Sequence, residues 1–179
     1  MTPRVKRLFI AVIIVQIVCL LGIVGYRESI LALGRTAVLQ TVPVDPRDLF
    51  KGEHVILRYE ISTLGNRIES GSKRYFVRGQ FNEGDTVYVS ITNVDEHEIS
   101  YDVQTGGPSD RTDIFIKGKV TSNKDNVITV EYGIEQYFVP EGRGLEIEQA
   151  DDVKVRVKIN RSGVAAIEEL IVDGEVWKP

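Results

Sequence analysis

From Leu8 to Tyr26 the chain reads LFIAVIIVQIVCLLGIVGY, 19 consecutive residues of which only Gln16 is strongly polar. This run constrains everything after it: it has no polar face to offer water, and as a helix it rises about 28 Å, close to the hydrocarbon thickness of a bilayer. It predicts a membrane-spanning helix. Arg4, Lys6 and Arg7 precede it, and basic residues flanking a span stay in the cytoplasm, which puts the N-terminus inside and everything after Tyr26 outside. A cleaved signal peptide would carry a shorter apolar region followed closely by small residues. Ala32-Leu33-Gly34 lies several residues too far downstream, and Cys19 sits deep in the run behind bulky Val18, a poor setting for lipoprotein processing. The expectation is an uncleaved, single-pass signal anchor. Residues 1–27 form a cytoplasmic tip and span, 28–35 a tether or helix extension, and 36–179 an extracytoplasmic domain. Gln16 offers an amide to a neighbouring helix, although one polar residue is commonly tolerated in a span.

The domain beyond the span is acidic. From Glu28, the first acid, there are 18 basic against 26 acidic residues, a net charge of −8. Without a basic stripe, nucleic-acid binding is not its main task. The single cysteine excludes an internal disulfide and a zinc site built from several thiolates.

The same stretch holds 19 Val, 14 Ile and 9 Thr against 5 Ala and 8 Leu, a balance that favours sheet. Alternation places the strands. Val55, Leu57, Tyr59 and Ile61 share one face of a strand over 55–61, with Arg58 and Glu60 on the other. Val153, Val155, Val157 and Ile159 alternate with Lys154, Arg156 and Lys158, a half-buried strand with a wet, basic outer face. Further strands are expected over 37–42, 74–78, 86–92, 98–103, 114–121, 127–132 and 165–172. Turn residues such as Asn82-Glu83-Gly84-Asp85 and Arg161-Ser162-Gly163 separate most of them. The fold class is therefore mainly β: an N-terminal transmembrane helix, then an antiparallel β sandwich or small barrel with one or two short helices. One helix is expected at Asp45-Pro46-Arg47-Asp48, with an acidic cap, a proline at the first helical position and Gly52 to end the turn. The second, over 141–149, is weakened by Gly142 and Gly144.

Two blocks carry a family resemblance. Gly52-Glu53-His54-Val55-Ile56-Leu57-Arg58-Tyr59 resembles the signature of the GDYXXLXY family of membrane-anchored bacterial proteins. Gly52, Leu57 and Tyr59 match it, while Glu53 replaces its Asp and His54 its first Tyr. Tyr137-Phe138-Val139-Pro140-Glu141-Gly142 is similar to the family's C-terminal half. The resemblance implies a single-pass protein of the cytoplasmic membrane that accompanies a polytopic membrane protein. It implies no catalytic residue.

The chemistry-bearing clusters have plain structural explanations. Asp45, Arg47, Asp48, Glu53 and His54 gather ionisable groups, and an acid beside an imidazole can serve acid–base chemistry. Neighbouring strand residues such as Glu53 and His54 nevertheless point to opposite faces. His54 and His97 are 43 residues apart with no metal-ligand spacing, and no metal or cofactor is expected. Glu141, after an aromatic run and Pro140, is placed to be an acid with a raised pKa or a binder of cationic groups, or simply to cap the next turn. Serine-nucleophile and phosphate-cradling motifs are missing. The reading is an accessory or binding module using Asp45, Arg47, Asp48, Gly52, Glu53, His54, Leu57 and Tyr59 with Tyr137, Phe138, Pro140 and Glu141. The alternative is an envelope hydrolase using Glu141 with His54 or Asp48. If the two blocks act together, they should lie side by side.

Overall fold

A computed structural model describes residues 3–42, 54–65, 69–70, 73–95, 98–108, 114–124, 127–140 and 142–178. The expected helix at 45–48 lies outside them, as do Asp45, Arg47, Asp48, Gly52, Glu53 and Glu141.

Helix α1 runs from Pro3 to Leu33, 31 residues or about 46 Å. Pro3 sits in its first turn, where a missing N–H costs no hydrogen bond. Residues 6–29 are exposed, so nothing in the protein covers the apolar surface, and the helix is long and apolar enough to cross a membrane. Residues 28–33 prove to be helix and not a loose tether. The strands, in chain order, are β1 (Arg35–Val42), β2 (His54–Ile56), β3 (Arg58–Tyr59), β4 (Thr63–Gly65), β5 (Glu69–Ser70), β6 (Lys73–Arg78), β7 (Thr86–Asp95), β8 (Glu98–Gln104), β9 (Phe115–Lys124), β10 (Val127–Glu131) and β11 (Gln136–Phe138), then, after the short helix α2 (Gly144–Glu148), β12 (Val153–Ile159), β13 (Ala165–Val172) and β14 (Glu175–Val176).

Helix and domain join at a single residue. Ile30 is buried where α1 meets β12 and β13, and the Gly34 N–H donates to the Ile30 carbonyl at 2.8 Å. A Cβ on Gly34 would lie 3.0 Å from both the Ile159 nitrogen and the Lys158 Cβ and would overlap the Ile30 carbonyl, so the chain can turn this tightly only as glycine. β1 starts at the next residue.

β1 then pairs antiparallel with β12 from Arg35↔Ile159 to Gln40↔Lys154, in a five-stranded sheet ordered β14-β13-β12-β1-β3. Its inner face buries Leu39, Val155, Val157, Ile159 and Leu170. The basic outer face expected of β12 is present, with Lys154 bonded to Asp152 at 2.7 Å and Arg156 to Glu169. A seven-stranded sheet, ordered β4-β10-β9-β7-β8-β6-β5, curls into a nearly closed barrel whose interior holds Val87, Val89, Val103, Ile116, Val120 and Val130. All its pairs are antiparallel except β6 with β8. That pair departs from the hairpins expected from spacing: β7 lies on the far side of β8, so β6 reaches the sheet by crossing over and not by a tight turn.

The interiors of both sheets form one apolar cluster. Gly118 on β9 is essential to its geometry, because a Cβ there would overlap Val130 and lie 2.8 Å from the Tyr132 ring. Overpacking of a filled interior typically costs about 1–3 kcal/mol. Gly118→Ala should therefore lower the thermal midpoint of the full chain in mild detergent, followed by circular dichroism, whereas Gly84→Ala, which meets open space but a positive φ of 91°, should cost about 1 kcal/mol through backbone strain alone.

Candidate functional site

The segment 54–65 changes partners three times in twelve residues. β2 pairs with β11, β3 with the end of β1, and β4 with β10, so this stretch joins all three sheets, the third being the two-stranded ribbon of β2 and β11. A single strand over 55–61 is expected from alternation, and the structure corrects this. The burial alternation holds, with Val55, Leu57, Tyr59 and Ile61 buried. The ladder breaks at Leu57, whose N–H donates to the Glu135 carbonyl at 2.7 Å, and Glu60–Ser62 form a 3-10 turn. No single strand can supply hydrogen bonds to three sheets.

Tyr59 is the centre of this seam. It is 0% exposed, its hydroxyl donates to the Ile134 carbonyl at 2.6 Å, and its backbone N–H donates to the Ser62 hydroxyl. In return the Tyr132 hydroxyl donates to the Ile61 carbonyl at 2.6 Å. The Glu135 carboxylate accepts N–H bonds from Tyr132 and Gly133 and so shapes the turn that presents these carbonyls. Leu57 and Tyr59, both named as candidate contact residues, thus face the interior.

Burial, with the nearby Glu135 charge second, raises the Tyr59 pKa well above the ordinary tyrosine value. Burial followed by the Glu60 charge pushes Tyr101 up to about 12. Both hold their protons longer folded than unfolded, so this contribution to stability is complete below about pH 10 and is lost as pH rises beyond it. Unfolding free energy should fall from pH 10 to 12 in denaturant titrations. Tyr59→Phe should reduce that slope while costing about 1–2 kcal/mol at neutral pH through the unsatisfied Ile134 carbonyl.

The two signature blocks lie side by side. β2 and β11 pair antiparallel through Gln136↔Ile56, Tyr137↔Val55 and Phe138↔His54. The β11 strand itself was not expected from the sequence. Directly paired residues share a face. Val55 and the half-buried Tyr137 face inward, whereas Ile56 and Phe138 are 44% and 74% exposed. Beside the ribbon, α2 buries Ile147 with Val55 and Val139, and its Leu145 is 57% exposed. Helix α2 is shorter than the expected 141–149 helix. Pro140 is exposed, at the end of the second block. The ribbon continues from the end of β1 opposite α1, and eight strand residues span about 26 Å.

A polar clasp, not foreseen from the sequence, adjoins the second block. Arg143 pairs with Glu146 at 2.7 Å and lies 5.1 Å over the Trp177 ring, which meets Tyr137 edge-on at 6.1 Å. The Trp177 indole N–H donates to Glu146 at 3.3 Å. Hydrogen bonds from Arg143 and then Trp177 hold the Glu146 carboxyl below its ordinary pKa, so the clasp persists under mild acid and opens as pH falls through that lowered value. Trp177 is the only tryptophan. Its fluorescence should change with a midpoint below the usual glutamate range, and Glu146→Gln should abolish the transition.

Cavities near the ribbon are small. The cleft between the end of β1, β2 and α2, lined by Val42, Val55, Ile56, Arg58, Ile147 and Asp151, holds about 60 Å³, against roughly 300–1,000 Å³ for ordinary ligand pockets. Among the described residues, no three His, Cys, Asp or Glu side chains are grouped to hold a metal.

Length, anchor-like helix and paired blocks agree with the comparison by sequence. The family described as GDYXXLXY protein matches residues 16–170, from inside α1 to β13, and the chain belongs to that family. No curated protein and no solved structure matches it.

Proposed function

We propose that this chain is an accessory or binding module of the bacterial cytoplasmic membrane. α1 is its single-pass signal anchor with the N-terminus in the cytoplasm, and the β domain stands on the extracytoplasmic side. Its working surface is the ribbon formed by the two signature blocks, and its partner is a polytopic membrane protein with an extramembrane portion reaching the height of that ribbon.

The observation that carries this is the exposed apolar trio of Ile56, Phe138 and Leu145 around paired β2 and β11. Each such side chain gains about 1.5–3 kcal/mol on full burial. Three together offset a useful part of the cost of association, whereas scattered exposed ion pairs contribute little. The narrow cleft beside them suits a protein surface better than a small substrate.

Photo-cross-linking from position 138 in native membranes tests this. One membrane protein should be captured at near-stoichiometric yield. The pair Ile56→Ser and Phe138→Ser should abolish capture without lowering the thermal midpoint, since both side chains are largely solvent-exposed. Recovery of the protein alone would remove this reading and favour the hydrolase alternative built on Glu141 with His54 or Asp48.

A further inference from the structure

The opposite end of the domain, where α1 enters it, differs from the rest of the molecule in charge. The turn at 160–164 joins β12 to β13 and is tightly built: the Asn160 side-chain oxygen accepts the N–H groups of Ser162 and Val164. The Asn160 amide donates to the Tyr26 hydroxyl at 3.2 Å. Tyr26 closes the apolar run, at the position where aromatic side chains mark the boundary between hydrocarbon and headgroups. If α1 spans a bilayer, the turn is therefore held at headgroup height. From Tyr26 to Leu33 the helix rises only about 10 Å more.

Basic side chains gather at this level in a domain that is otherwise acidic. Arg161 lies on the turn, Arg27 on α1 and Lys158 at the end of β12. Lys117 is brought in from β9 by the bond from its N–H to the Gly163 carbonyl at 2.8 Å. The acids on the same ends are Glu28 and Glu168, the latter 3.6 Å from Lys158. Arg27, Lys117 and Arg161 make no ion pair among the described residues and are exposed. Two apolar side chains are open beside them, Leu33 at 85% exposed and Val164. Cations ringing exposed aliphatic groups at the foot of a span are the composition of an interfacial lipid contact.

We propose that this end of the domain is a docking face for anionic lipid headgroups, in which Arg27, Lys117, Lys158 and Arg161 bind phosphate-bearing lipid and Leu33 and Val164 enter the interface. The proposal rests on α1 spanning the membrane but not on any protein partner. Because Gly34 joins helix to sheet without a linker, docking of this face fixes the tilt of the domain and the height of its distal ribbon. An anionic surface attracts each nearby Lys or Arg by a factor of about five. Loss of two such charges should therefore shift the docked-to-free ratio about 25-fold.

The test uses the full chain in nanodiscs of neutral phosphatidylcholine, with and without anionic phosphatidylglycerol. Nitroxide labels are placed at native Cys19 or, in Cys19→Ser, at Ser162→Cys, and collision with oxygen and with a nickel chelate reports depth. The expected result is Cys19 in the hydrocarbon and Ser162→Cys at headgroup depth only with anionic lipid, released by Lys117→Glu with Arg161→Glu. A Cys19 label in hydrocarbon with an aqueous label at 162 in both lipids overturns the docking face and leaves the anchor standing. Depth at 162 that ignores lipid charge and the charge reversals overturns it as well. An aqueous label at Cys19 removes the anchor reading and the proposal together.

Discussion

The bond from the Tyr59 hydroxyl to the Ile134 carbonyl, buried and reciprocated by Tyr132 on Ile61, is the contact on which the rest of the domain depends. Three sheets with separate hydrogen-bond ladders would otherwise meet only through apolar packing, which is strong but has no direction. The paired phenols add direction. They set the height of the 132–138 segment against 54–62, and that register determines which side chains of β2 and β11 point outward. Breaking one hydroxyl leaves a buried carbonyl unsatisfied, so the seam resists slippage by roughly the cost of an unpaired polar group.

This explains why a signature can contain buried residues and still concern function. Leu57 and Tyr59 touch no partner themselves, yet they hold the backbone whose neighbours Ile56 and Phe138 face solvent. The inner face of the ribbon is positioning, and its outer face is available for contact. The same division appears at α2, where Ile147 fastens the helix to the core and Leu145 is left outside. The clasp of Arg143, Glu146 and Trp177 then ties the C-terminal end to this corner through exposed contacts that respond to pH.

The helix and the domain are coupled as firmly as the sheets. Ile30 plugs into the domain, Gly34 turns without a spare residue, and Asn160 reaches Tyr26. A flexible tether would let the ribbon sample many heights above a membrane. A fixed junction holds it about one strand length from the helix end, which restricts the partners that can meet it.

Much of this was legible in the residues. The 19-residue apolar run could be nothing but a helix in an apolar medium or against a large core, and the alternation of Val153 to Ile159 marked a half-buried strand because side chains there repeat every two residues. The buried set Val55, Leu57, Tyr59 and Ile61 followed from the same period, and Ile56, an apolar residue at an outward position, was a visible signal of the exposed patch. What the chain alone could not show was partner choice: hydrogen bonding is chemically identical for every backbone amide, so the break at Leu57, the pairing of β2 with β11 and the parallel pair of β6 and β8 depend on contacts far apart in sequence. The sequence by itself determined the span, the sheet-forming character and the faces of the strands, because these arise from local side-chain chemistry and period. Only the tertiary structure decided that the two blocks share one ribbon and that basic side chains from α1, β9 and β12 meet at its opposite end, because convergence in space requires the whole core to form.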